Sequence, residues 1–303
     1  MGVADELTAI VTVADDGGSS GRLRTELGAL PPGDLRMALA ALAGDDAWGQ
    51  TWQKALQYRF DGEGPLKGHA VGNLLLTGLV QTTGNVVEAL DLVCQLVGAR
   101  GRVLPASTTP LDIVALVSGL VEGELVEVTG QVAVATTKGS VAAVRLTPED
   151  PPACPEAVKA VLEADVVVLG PGSWFTSVLT HLLIPQLREA LTATRAKVVV
   201  ALNLGPQDGE TAGFTPATHL EVLAAHAPDL TIDTVLADRT AVLDRHGLIA
   251  EDRQRELSDA VDLLGGRLVL AHLELGDGTP RHDPVRLAQA YAEILGVPAT
   301  RTT

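Results

Sequence analysis

Between Ala14 and Arg24 the chain reads ADDGGSSGRLR, directly behind the apolar run Leu7–Val13. Two adjacent carboxylates (Asp15, Asp16), the glycine Gly17, the serines Ser19 and Ser20, and then Arg22 follow one another there. Small residues let backbone N–H groups and hydroxyls approach an anion closely, so this loop behind a buried strand suits a phosphate-bearing ligand. Adjacent carboxylates at a strand end point to opposite faces, so one of Asp15 and Asp16 is expected to enter the site. There it holds a divalent cation or a ribose, or caps the loop.

A second segment of the same character is ADVVVLGPGSWFTSVL. Gly170 and Gly172 flank Pro171 at the end of a strand, and Ser173, Thr176 and Ser177 open the next helix. Unpaired N–H groups and the positive end of the helix dipole favour an anion at such a place. The spacing is neither GxGxxG nor that of a P-loop, and an ordinary tight turn with a serine cap is the competing reading. The following strand ends at Asn203 and runs on to GPQDGET, with Glu210 and Thr211. Two neighbouring strands delivering polar groups to one edge predict a shared crevice, with an Asx turn as the plainer role for Asn203. His69, in GHAVGN ahead of Asn73, reads as structural rather than catalytic. Trp48 and Trp52, four apart, read as core or interface. Asp283 reads as a helix cap, which leaves Arg281 to face an anion.

The elements that must position these residues alternate strand and helix. Strand Leu7–Val13 is followed by helix Leu35–Ala43 with Asp34 as N-cap, and then by helix 48–60. Helices 73–80 and 85–97 are broken at Gly84-Asn85. Segments 125–136 and 140–146 predict two short strands around Lys138-Gly139, a hairpin-like insertion. Beyond the proline-rich connector 148–155, helices at 156–163, 176–193, 216–226 and 285–295 alternate with strands at 166–169, 197–203, 231–237 and 267–274. The fold class predicted is α/β, a Rossmann-like doubly wound, mostly parallel sheet with a small inserted β/helical region, in one domain over residues 1–303.

The 303 residues are 46% apolar with only 3% aromatic, so the core is built from Ala, Val and Leu. A net charge of −16 excludes a general nucleic-acid or anionic-membrane binder. Cys94 and Cys154 read as reduced thiols, and no signal peptide or membrane span is read, which predicts a cytoplasmic protein.

VTVADDGGSSGRLR, LPPGDLR, GHAVGNLLL, VLPAST, ADVVVLGPGS with TSVL, the strand ending in GET, and RHDP occur in that order. Together they resemble the CofD-like family, and within it the gluconeogenesis-factor (YvcK-type) branch. The resemblance implies a nucleotide-type ligand, UDP-sugars such as UDP-N-acetylglucosamine, in a factor needed for gluconeogenic growth and cell-wall morphogenesis. It places ligand contacts on Asp15, Asp16, Gly17, Ser19, Ser20, Gly170, Gly172, Ser173, Asn203 and Arg281, and Arg22, Asn73 and Thr211 complete the candidate ligand-binding set. Met37, Pro206 and Asp208 depart from the family pattern. The family also carries a strand and glycine-rich loop ahead of the strand that opens this chain, which predicts a native start roughly 25–30 residues before Met1.

The regulator reading competes with a transferase of the 2-phospholactate type, using Mg²⁺ and a guanine nucleotide. A dinucleotide oxidoreductase lacks its GxGxxG signature. Helix 85–97 offers a face for a homodimer, and Thr300, Thr302 and Thr303 offer a tail to a protein kinase.

Overall fold

The computed structural model describes residues 3–207, 210–244 and 246–297, so the threonines of the C-terminal tail and Asp208 lie outside the described residues. Its residues gather into two compact units, Glu6–Ala160 with Leu183–Leu187, and Val161–Leu182 with Arg188–Thr303 and Met1–Asp5.

The first unit opens with β1 (Thr8–Val11), then the helices α1 (Gly18–Leu27), α2 (Gly33–Leu42), α3 (Ala47–Gln57), α4 (Val71–Thr83) and α5 (Val86–Leu96). β2 (Arg102–Pro105) returns beside β1 in parallel, Thr8 opposite Arg102. The break between α4 and α5 follows its local chemistry. Gly84 takes a left-handed C-cap at φ 70°, and the Asn85 side chain accepts from the N–H groups of Val87 and Glu88.

The insertion differs from the hairpin expected at 125–146. A long strand, β3 (Asp112–Val121), lies between β4 (Glu124–Thr129) and β5 (Ser140–Thr147), antiparallel to both. The alternating stretch GQVAV is not strand but a short helix, α6 (Gln131–Ala135). Gly130 at φ 102° turns the chain out of β4 there. Alternation alone cannot separate a strand from one helical turn when the partner strand comes from elsewhere in the chain.

The second unit holds the expected alternation. After α7 (Pro155–Glu163) come β6 (Val166–Leu169), a π-turn at Trp174–Val178 running into α8 (Leu179–Leu182), α9 (Pro185–Ala193) and β7 (Lys197–Ala201). α10 (Pro216–His226), β8 (Thr234–Asp238), α11 (Glu251–Leu263), β9 (Arg267–Ala271) and α12 (Pro284–Leu295) complete it. The sheet is wholly parallel in the order β6-β7-β8-β9. β8 is buried along its whole length, as an inner parallel strand must be. Val199, Leu236, Leu273, Ala290 and Ile294 form the core between sheet and α12. The helix expected over 176–193 is interrupted before Pro185, which lacks an N–H to continue it. α11 is highly charged and carries only Leu257, Ala260 and Val261 inward, a stripe too thin to stand out in the sequence. Trp48, expected in a core or interface, is 58% exposed, edge-on to Trp52 at 5.9 Å.

Candidate functional site

Val13 and Ala14, both fully buried, carry the chain from β1 into the Asp15 loop. The two carboxylates diverge there. Asp15 Oδ1 accepts from the Gly17 N–H at 2.9 Å, while Oδ2 lies against Gly33, the first residue of α2. A Cβ on Gly33 would overlap Asp15 Oδ2 and stand 2.5 Å from Ser20 Oγ, so this approach needs glycine. Asp16 turns the other way. Its Oδ1 accepts from the Val132 N–H at 3.0 Å, capping α6, and a Cβ on Gly130 would overlap its Oδ2.

Asp34, expected as the cap of α2, sits inside the helix, and Pro32 is the N-cap. Its carboxyl faces Asp15 and Gln131 instead. Burial, and then the charge of Asp15, push its pKa above the ordinary carboxylate value, against the hydrogen bond from Gln131. The Gln131 Oε1 atom is buried without a hydrogen-bond partner.

One hydrogen-bonded chain ties three helix starts together. Asn73 Nδ2 in α4 donates to Ser20 Oγ in α1 at 3.3 Å, Arg36 Nε in α2 donates to Asn73 Oδ1 at 2.9 Å, and Arg36 Nη1 donates to Gln57 Oε1 in α3. Beside it Ser19 Oγ and His69 Nδ1 share a hydrogen bond of 3.0 Å, and the Ala70 N–H donates to the same hydroxyl at 3.4 Å. Burial, and then Arg22, lower the His69 pKa. α1, α2, α4 and α6 all begin without a side-chain cap on their N-cap residue, whereas Asp46 and Asn85 cap α3 and α5. Arg22 spends its guanidinium on loop carbonyls, donating to Pro65 at 3.1 Å and Lys67 at 2.7 Å.

In the second unit, Gly170 at φ 75° passes so close to β7 that a Cβ would lie 2.7 Å from the Ala201 carbonyl. Asn203 braces the turn from both sides, accepting from Gly172 N–H at 3.0 Å and donating to Gly172 O at 2.8 Å. The N–H groups expected to meet an anion are held by the chain itself. Gln207 Oε1 accepts from Trp174 N–H at 3.2 Å, and Glu210 accepts from Phe175 N–H at 3.1 Å and from Thr176 Oγ1 at 2.7 Å. Gln207 Nε2 reaches Ser173 Oγ at 3.4 Å, and the buried Thr211 hydroxyl accepts from Gln207 N–H at 2.8 Å. Arg281 is exposed, in the turn closed by the bridge between Glu274 and His282.

The structure thus gathers Asp15, Gly17, Ser19, Ser20 and Asn73 in the first unit, and Gly170, Gly172, Ser173, Asn203 and Thr211 in the second. Asp34, Arg36, Gln131 and Gln207 were not singled out as site residues by sequence reasoning, whereas Glu210 was named with Thr211 at the end of the Asn203 strand. Asp34 and Arg36 had a signal, the PPGDLR motif between two loops of small residues. Among the described residues no cluster of three or more His, Cys, Asp or Glu side chains suits a metal. Two carboxylates with one orphaned carboxamide oxygen do suit Mg²⁺, which takes few protein ligands and completes its shell from water and phosphate.

Residues 2–264 match the family model described as 2-phospho-L-lactate transferase CofD. A Mycobacterium tuberculosis protein with a provisional gluconeogenesis-factor name is 50% identical over 285 residues, 93% of this chain and 81% of its own. The gluconeogenesis factor of Listeria innocua is 37% identical over 292 residues, 95% and 88% of the two chains. A crystal structure of a UPF0052-family protein from Bacillus halodurans superposes with a TM-score of 0.80 at 33% identity, covering 94% of this chain and 90% of that one. Among the described residues no helix is long and apolar enough to cross a membrane.

Proposed function

The chain belongs to the 2-phospho-L-lactate transferase CofD family, and from that premise we propose that it is a nucleotide-sugar-binding factor serving gluconeogenic growth and cell-wall morphogenesis. A UDP-sugar such as UDP-N-acetylglucosamine is its ligand. Relatives named as gluconeogenesis factors, 37–51% identical, support the gluconeogenesis-related role. The observation that carries the ligand class is the meeting of three uncapped helix starts at Ser20, Arg36 and Asn73, beside Asp15 and Asp34. Helix starts favour phosphate, and a carboxylate pair favours the cation that accompanies it.

In this reading Asp15 and Asp34 would hold Mg²⁺ with help from Gln131, where it would supply positive charge to the ligand phosphates. The Gly17–Ser20 backbone orients the phosphates, and Asp16 keeps α6 in place beside the loop. Ser19 is 3% exposed and bonded to His69, which suits a fastening between α1 and α4 better than a nucleophile open to substrate.

A second reading, a Mg²⁺-dependent transferase using a guanine nucleotide, is favoured by the family description and by the same oxygen set. Thermal shift with UDP-N-acetylglucosamine and with GDP, each with and without Mg²⁺, separates the two. Saturable stabilisation by the UDP-sugar, weakened in Asp15→Asn, supports the factor. A response confined to GDP with Mg²⁺ overturns it in favour of the transferase.

A further inference from the structure

Arg36 is only 3% exposed, yet it forms no ion pair with any described residue. The arginines that do pair with a carboxylate, Arg24, Arg100, Arg102, Arg145 and Arg286, have side chains 22–58% exposed. The buried guanidinium of Arg36 instead has two carboxamides, Asn73 and Gln57. A buried charge held only by neutral groups is costly, and folded proteins keep such an arrangement where something else supplies the opposite charge. Asp15 and Asp34 act on Arg36 from a distance, and Arg59 opposes them.

The guanidinium is held as a receptor rather than as packing. Nε is fixed by Asn73 and Nη1 by Gln57, while Nη2 has no hydrogen-bond partner among the described residues. Gly72 makes room for the stem, since a Cβ there would stand 2.8 Å from Arg36 Cγ and 2.9 Å from Cδ. A planar fork locked at two nitrogens and open at the third is pre-organised for an oxyanion.

We propose that Arg36 is the anion receptor of this site, taking a phosphate oxygen of the ligand through Nη2. Asn73 then acts as its positioning residue. The proposal rests on the nucleotide reading above for the identity of the ligand, though not for its charge.

The test is isothermal titration of the full chain and of Arg36→Gln with inorganic pyrophosphate and with UDP-N-acetylglucosamine, Mg²⁺ present throughout. Arg36→Gln removes the charge and keeps a hydrogen-bonding side chain; circular dichroism checks its fold. Loss of one charge-assisted hydrogen bond predicts pyrophosphate affinity lower by roughly 10–100-fold. Equal pyrophosphate affinity in the two proteins overturns the receptor, and so does a parent chain that binds neither probe. Pyrophosphate binding that depends on Arg36, with no binding of the UDP-sugar, upholds the receptor and overturns the nucleotide-sugar reading. If Arg36→Gln fails to fold, Arg36→Lys carries the same test. It keeps the charge without the fork, so pyrophosphate affinity falls several-fold, and an unchanged affinity overturns the proposal.

Discussion

Replacing Gly33 by alanine should destabilise the protein although the same replacement at Gly78 should stabilise it. Both glycines lie in helices and neither has a positive φ. Gly78 is exposed in α4, and a Cβ there meets nothing within 4 Å. Alanine at Gly78 therefore gains about 0.5–1 kcal/mol of helix propensity. At Gly33 the new methyl would overlap Asp15 Oδ2 and stand 2.5 Å from Ser20 Oγ. Neither neighbour is a loose end, because Asp15 Oδ1 holds Gly17 N–H and Ser20 Oγ holds Asn73. Relief requires breaking one of those bonds, and overpacking of this kind costs about 1–3 kcal/mol. The propensity gain offsets part of it, leaving a net loss of about 1–2 kcal/mol. At about 2–4 °C per kcal/mol for a unit of this size, the Gly33→Ala midpoint should fall by roughly 2–8 °C. Urea and thermal unfolding of the three proteins side by side is the assay. A Gly33→Ala midpoint at or above that of the parent would refute the packing of Asp15 against α2.

Thr77 faces a cavity of about 20 Å³ lined by Leu35, Leu76, Val80 and Leu90, and its buried hydroxyl has no partner. Thr77→Val should therefore raise stability by about 1 kcal/mol, and a lower urea midpoint would count against the site being apolar. Glu210→Ala strands the Phe175 N–H and the Thr176 hydroxyl, so about 2–4 kcal/mol should disappear from the denaturation curve; an unchanged midpoint would show the contact to be idle. Asp238 is 4% exposed, and burial alone would raise its pKa. The hydrogen bonds from Thr240 and from Leu273 N–H outweigh burial and hold it below the ordinary 3.8. Its stabilisation is thus complete above the unfolded value and lost as pH falls through the lower folded value. Asp238→Asn should melt earlier than the parent at pH 7, with the gap closing as the pH falls through the lowered folded value; a gap that persists in acid would refute this assignment.

What was legible in the chain was what a few neighbouring residues decide. The βα alternation over 156–295 apart from α11, the Gly84-Asn85 break and the Asp283 cap, which accepts from Val285 and Arg286 N–H, all follow from contacts within about one helical turn. The ordered motifs likewise carried the family, because the residue types lie in the sequence itself.

Tertiary structure alone decided the partners. Asp16 finds the N–H of Val132 at a separation of 116 residues, and Phe175 finds Glu210 at 35. β3 enters between β4 and β5, which turned an apparent hairpin into a strand and a short helix. Asp34, a cap by its local sequence, is drawn instead toward Asp15 and Gln131, and Arg36 is buried without a counter-ion. Propensity and capping are short-range and sum along the chain; burial and hydrogen-bond partners depend on which distant segments the packed core brings together. The sequence by itself determined which residue types this protein carries and in what order, and the packing determined which of them meet.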